Sequence, residues 1–278
     1  MSVVATHEIA AGVFCFGPRG RWQTNLYLVR SEGSWTLIDA GWAGDAPEIV
    51  RAAETTFGPA TPPQAIFLTH CHPDHSGAAR ELARHWSCPV YVHAQELPLA
   101  LGDYAALRAH AAPLDAWLIL PLLRALGRER CQRILREGSL RGVAQAFDPQ
   151  RELPGLADWR VIPTPGHTPG HTAFFRSRDH VLICGDALAT VELNGPLSLL
   201  APKPGLSGPP WCSTWDWGKA QAALLQLAEL EPFVLACGHG PPMIGAGTAS
   251  ALRNFVAELV PPTAAPVIPV TVQPQSNH

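Results

Sequence analysis

The stretch Ala65-Ile66-Phe67-Leu68-Thr69-His70-Cys71-His72-Pro73-Asp74-His75 decides how this chain is read. Its first half is a short apolar run of the kind that forms a buried strand. Its second half places His70, His72, Asp74 and His75 within six residues directly after that run. Side chains of that polarity do not sit in an apolar turn without partners, because each buried polar group left unpaired costs free energy. A bound cation satisfies all four. Imidazole suits zinc and other transition metals, and a carboxylate adds a harder oxygen donor. Alternate side chains of a tight loop diverge, so His70 and His72 are expected to face one metal and Asp74 with His75 another.

Three later positions repeat the arrangement. His167 stands in Thr164-Pro165-Gly166-His167-Thr168-Pro169-Gly170-His171, after the strand pattern at 159 to 162. Asp186 closes the apolar run Leu182-Ile183-Cys184-Gly185-Asp186, and His239 follows the run that ends in Ala236-Cys237-Gly238. In each case an apolar strand delivers a polar group to its end, where a layered sheet structure can gather donors along one edge.

The surrounding pattern fits that picture. Residues 25–29 and 35–38 read as a hairpin, 45–57 as a helix entered at Asp45 and left at Gly58, and 89–92 as another strand. Strand signals return at 159–162, 172–175, 181–184 and 232–236, with helices at about 216–230 and 249–260. Alternating strands and helices point to an α/β fold with sheets covered by helices. Between them, 97–148 is rich in Ala, Leu and Arg and has helical periodicity. Trp117, Leu118, Ile119, Leu120, Leu122, Leu123 and Leu126 exceed what one helix face needs, so this stretch is expected to form a lid or a dimer contact. Arg124, Arg128, Arg130, Arg133 and Arg136 interrupt it and argue against a membrane anchor. The reading gives one domain over 1–262 and an extended Pro-rich tail over 263–278.

Composition narrows the function. The 278 residues carry 20 basic and 23 acidic side chains, a formal net charge of -3, which excludes a broadly basic nucleic-acid binder. No apolar run is long enough for a membrane span, and the N-terminus lacks the pattern of a secretory signal. Seven scattered cysteines without a CxxC argue against a disulfide framework and for a cytoplasmic setting. Twelve histidines without paired cysteines ask for a His/carboxylate metal site.

Taken in order, these motifs resemble the metallo-β-lactamase superfamily over about residues 10–260. The resemblance implies an αββα four-layer sandwich, with 97–148 as a helical insertion. It implies a first metal site of His70, His72 and His167, a second of Asp74, His75 and His239, and Asp186 shared by both. Asp39, in Leu37-Ile38-Asp39-Ala40-Gly41, and His171 are implied as supports of the ligands. The activity implied is hydrolysis of a small acyl substrate (thioester, lactone or related ester or amide) by two divalent ions, zinc foremost with iron or manganese as alternatives. Asp74 is the candidate catalytic carboxylate, and Trp211 and Trp215 are candidates for an apolar substrate wall. The glyoxalase II and lactonase branches are the nearest in motif form. The lactonase branch, however, commonly has a tyrosine after the shared aspartate, where Ala187-Leu188-Ala189 stands here. The helical region by which glyoxalase II grips glutathione has no counterpart in the 39 residues after His239. The competing expectations are a mononuclear iron persulfide dioxygenase and, behind it, a phosphodiesterase or nuclease of the same fold.

Overall fold

The computed structural model describes residues 6–31, 33–148, 153–195 and 203–260. The tail at 263–278 lies outside the described residues. The first half of the chain builds a seven-stranded sheet from β1 (His7–Ala10), β2 (Val13–Arg19), β3 (Thr24–Ser31), β4 (Ser34–Ile38), β5 (Ile66–Phe67), β6 (Val90–Val92) and β7 (Ala144–Ala146), in that order. β1 to β4 pair antiparallel, whereas β4 to β7 run parallel. Parallel neighbours need crossovers, and the crossovers here carry helices α1 (Ala46–Phe57), α2 (Pro73–Ser76) and α3 (Ala79–Trp86). The last crossover, between β6 and β7, carries α4 (Leu97–Ala100), α5 (Tyr104–Ala109), α6 (Leu120–Ala125) and α7 (Arg128–Gly138), with a π-helical turn at Asp115–Ile119. The helical stretch therefore ends in a strand, and Ala144, Gln145 and Ala146 complete the edge of the first sheet.

The second half builds a smaller sheet from β8 (Trp159–Pro163), β9 (Thr172–Arg176) and β10 (Val181–Gly185). A short pair, β11 (Ala189–Val191) and β12 (Pro204–Ser207), precedes α8 (Trp217–Ala228), β13 (Val234–Cys237), β14 (Met243–Ile244) and α9 (Thr248–Leu259). The sheet order is β14-β13-β10-β9-β8, with β10 and β13 parallel.

Three separate apolar cores show how the layers stack. One lies between the first sheet and α1 and α3, where Leu28 and Leu37 meet Ile49 and Leu82. A second lies between the sheets, where Tyr27, Val29, Ile38 and Phe67 meet Phe174, Ile183 and Ala236. The third joins the second sheet to α8 and α9 through Leu182, Cys184 and Leu235 against Leu224, Leu227 and Leu252. Alternation along the strands produces this: Val181 and Ile183 point to the middle core, Leu182 and Cys184 to the outer one. Three interfaces make four layers, the αββα sandwich.

Local details depart from the sequence pattern. Asp45 precedes α1 but makes no side-chain cap. Its carboxylate instead accepts the Trp42 backbone N–H at 3.0 Å and pairs with Arg19 at 2.9 Å. Gly58 does end that helix. Strands β1 and β2, which have mixed polar and apolar composition, carry no clear alternation in the sequence.

Candidate metal centre

The ligand candidates all leave the sandwich at one edge. His70 follows β5, and His72 is the N-cap of the single turn α2, which carries Asp74 and His75. His167 lies in the β8–β9 loop, Asp186 directly after β10, and His239 two residues after β13. Backbone bonds hold the two sheets together at this edge: Asn25 N–H donates to Gly238 O at 2.8 Å, and Thr24 bridges His239.

Three groups of side chains come close enough to share an ion: His70 with His72 and His167, His70 with His75 and Asp186, and Asp74 with His75 and His239. His72 Nδ1 stands 3.1 Å from His70 Nε2 and 2.8 Å from His167 Nε2. Asp186 lies between the groups. Its Oδ2 is 3.5 Å from His167 Nε2 and 3.2 Å from His239 Nε2, and its Oδ1 is 3.3 Å from His75 Nε2. His239 Nε2 also stands 3.3 Å from Asp74 Oδ2.

The hydrogen bonds behind the rings fix which nitrogen faces inward. Asp39 accepts from the Thr69 N–H and hydroxyl at 2.8 and 2.9 Å, so the Thr69 oxygen is left to accept from His70 Nδ1 at 3.0 Å. The Thr214 hydroxyl donates to Pro210 O at 2.6 Å and accepts from His167 Nδ1 at 3.2 Å. His75 Nδ1 donates to Asp39 Oδ2 at 2.9 Å, and His239 Nδ1 to Trp22 O at 2.7 Å. Four imidazoles thus present Nε2 to the centre. A metal-binding histidine behaves this way, giving its other N–H to a carboxylate, hydroxyl or carbonyl. His75 Nε2 and Asp186 Oδ1 are buried and have no hydrogen-bond partner. Such orphaned atoms are costly unless a cation takes them, so the residues fit bound metal.

His171 is different. Its Nε2 accepts the Asp186 backbone N–H at 3.0 Å and its Nδ1 donates to the Thr164 hydroxyl at 2.7 Å. Both nitrogens are used, so it supports Asp186 instead of joining the ligands.

Electrostatics separates the two clusters. Burial pushes His70 and His167 well down and lowers His72, aided for His70 and His167 by the neighbouring imidazoles. These rings stay neutral, which is their ligand form. Burial also opposes a charge on His75, but Asp186, Asp74 and Asp39 outweigh it and pull that ring well up. Burial works against His239 too, yet Asp186 and Asp74 raise it to about 10. Asp74 in turn falls to about 2 despite its burial, because His75 and His239 face it.

Packing at the centre leaves no slack. A Cβ on Gly238 would stand 2.1 Å from Asp186 Oδ1 and 2.7 Å from the His75 ring, so only glycine fits. Gly185, at φ +49°, would meet His171 Nε2 and Thr69 in the same way.

A model of the metallo-beta-lactamase superfamily matches residues 19–239, most of the chain and every ligand candidate. The chain belongs to that superfamily. "Probable metallo-hydrolase YflN" of Bacillus subtilis (strain 168) is 37% identical over 240 residues, covering 84% of this chain and 87% of that one. A hydroxyacylglutathione hydrolase of Rhodospirillum rubrum is 30% identical over 165 residues, 59% of this chain and 47% of its own. Among solved structures, AidC, a dizinc quorum-quenching lactonase in complex with a product, superposes with a TM-score of 0.61 at 18% identity. That match covers 87% of this chain and 92% of that one. The protein is a metallo-hydrolase of this superfamily, with the His/Asp groups above as its candidate metal site.

A cavity of about 680 Å³ opens over the ligands. His72, Asp74, His167, Asp186 and His239 reach its floor, and Trp211 lies in its wall. Trp215 does not line it. Its ring packs against that of His110 at 4.8 Å, with the Lys219 ammonium 4.3 Å from its ring centroid, so it braces a wall residue from behind. The sequence motifs did not reveal His110, Asp115 or Glu96, all of which line the cavity. Glu96 is fully buried. Its Oε1 accepts Cys71 N–H, and its Oε2 accepts the Thr168 hydroxyl and Gly170 N–H, each at 2.9 Å. One carboxylate thus ties the HxHxDH loop to the His167 loop. Among the described residues, no helix is long and apolar enough to cross a membrane.

Proposed function

We propose that this metallo-hydrolase holds two divalent ions, zinc by preference, and hydrolyses a small acyl substrate: a thioester, a lactone or a related ester or amide. The observation that carries the reading is the set of four imidazoles whose outer nitrogens are all engaged, so that each turns Nε2 inward around Asp186. His70, His72 and His167 would hold one ion, Asp74, His75 and His239 the other, and Asp186, which lies between the two groups, would serve both. The completeness of the second group favours a dinuclear centre over a mononuclear iron oxygenase.

When bound, such ions polarise an acyl oxygen and deliver hydroxide at neutral pH. The protein's own groups do the rest. Asp39, Thr69, Thr214 and the Trp22 carbonyl keep the rings oriented. Water adds to the acyl carbon, the bond to the leaving heteroatom breaks, and that heteroatom takes the proton which the water gives up. Asp74 suits this proton relay, because its side chain is 15% exposed at the cavity floor whereas that of Asp186 is 4% exposed. A small-molecule substrate suits the cavity, and the net charge of -3 offers no general grip on a phosphate backbone. Free cysteines throughout the described residues support a cytoplasmic setting.

The test is metal analysis of the purified protein followed by a panel of lactones, thioesters, β-lactams and phosphodiesters. Turnover of acyl substrates is expected. Turnover of a phosphodiester alone, or oxygen uptake with a persulfide, would replace this reading.

A further inference from the structure

The ligands dictate the floor of the cavity but not its wall. The wall comes largely from the helical crossover between β6 and β7: Leu99, Leu107, Leu114, Ile119 and Leu135, joined from the far side by Trp211. The π-helical turn puts both Asp115 and Ile119 on this wall. Leu114 is 42% exposed and Trp211 50% exposed, so apolar surface faces solvent beside a metal centre. That is a place where an apolar ligand gains by displacing water.

Charge sharpens the point. Among the described residues, no lysine or arginine lines the cavity. The charged groups of the wall are the acids Glu96, Asp103 and Asp115. Glu96 is occupied by its three donors, Asp103 caps α5 through Ala105 and Ala106, and Asp115 accepts the Ala112 N–H at 3.2 Å. The arginines of the crossover lie elsewhere: Arg124, for example, donates to the Tyr104 hydroxyl at 3.3 Å. An anionic group away from the metal centre would lose its water against apolar and acidic walls with no lysine or arginine in return, and His110, the wall's imidazole, has its Nδ1 turned to Ala106 O at 3.0 Å.

Building on the acyl-hydrolase reading above, we propose that the substrate is an uncharged acyl compound with an extended apolar chain, which lies along the wall formed by residues 97–138, and that acyl conjugates of anionic carriers are excluded. The crossover is then the specificity element of the enzyme. It selects by apolar burial, with Leu107 and Ile119 in contact with the chain.

The experiment uses the metal-loaded full chain with neutral esters of butanoic, hexanoic, octanoic and decanoic acid, and an octanoyl analogue ending in a carboxylate. kcat/KM should climb about threefold to fourfold per added methylene until the cavity is filled. The carboxylate-ended analogue should fall at least about tenfold below its methyl-ended counterpart. Leu107→Arg should shift the ratio of these two by about tenfold toward the anion, and Ile119→Trp should collapse the ratio of decanoyl to butanoyl turnover. Binding is read separately by the fluorescence of Trp22, Trp42 and Trp211, which line the cavity. Decanamide should change it at concentrations where butanamide does not. A flat chain-length series with equal turnover of the anionic analogue overturns the proposal while leaving acyl hydrolysis standing. A decanamide response without turnover of any ester, lactone or thioester defeats the acyl-hydrolase reading and keeps the apolar site. Wild-type fluorescence that is indifferent to chain length overturns the site even where a variant fails to fold.

Discussion

Glu96 accepts the backbone N–H of Cys71, the residue between the candidate ligands His70 and His72, at 2.9 Å, although the two lie 25 positions apart. Its other oxygen holds the loop that carries His167. One buried carboxylate therefore sets the spacing between His70, His72 and His167. Glu96→Ala should leave three buried donors unpaired, at a cost of about 1–3 kcal/mol each before relaxation. The expected outcome is a lower Tm and loss of metal from the first group, measured by thermal unfolding with and without added zinc. A variant with wild-type Tm and metal content would show that this tie is dispensable.

His171 holds the Asp186 backbone without offering a free nitrogen to a metal. His171→Ala should therefore keep both metals under saturating zinc but bind them about 10–100-fold more weakly. Titration against a competing chelator measures this. Loss of one equivalent even at saturation would make His171 a ligand.

Gly238→Ala forces a methyl to within 2.1 Å of Asp186 Oδ1. Backbone and a buried carboxylate must both move, so hydrolysis should drop by at least about a hundredfold, as catalytic geometry tolerates little displacement. Gly245, whose added Cβ would meet nothing within 4 Å, gives the comparison. At its positive φ of 128°, Gly245→Ala should lower stability without a comparable fall in rate.

Alkaline pH should destabilise the fold through its buried thiols. Burial raises Cys15 to about 12, with a hydrogen bond to Tyr27 opposing it in part. The folded value exceeds the unfolded value, so the stability from this group is complete below about pH 9 and is lost as pH rises toward 12. Each such thiol steepens the fall by up to about 1.4 kcal/mol per pH unit. Urea unfolding between pH 8 and 11 checks the sign, and Cys15→Ala should flatten the slope.

The candidate ligands were legible because His70, Asp186 and His239 follow apolar strands and His72, Asp74 and His75 stand in the turn after one of them, so short-range pattern and chemistry coincide. The layers were legible for a related reason: alternation along β3, β4 and β10 sorts residues into three cores. Glu96, Asn25 and His110 were not legible, since their partners lie far away in sequence. Asn25, for instance, donates to Cys237 O at 3.0 Å across 212 positions. Trp215 is, from the sequence, only a candidate for the substrate wall. Only the packing of the loop shows that it stands behind His110. The crossover looked like a separate insertion because its helices hide the strand Ala144–Ala146, whose partner, Val90–Val92, comes 54 residues earlier.

The most direct test of the account is the metal content of the pure protein, measured alongside acyl hydrolysis for the wild type, His72→Ala and His239→Ala. Two ions per chain in the wild type, one or fewer in each variant, and hydrolysis abolished in both are the predicted results. Normal turnover by a metal-free variant, or a wild type that binds a single ion at full activity, would contradict it.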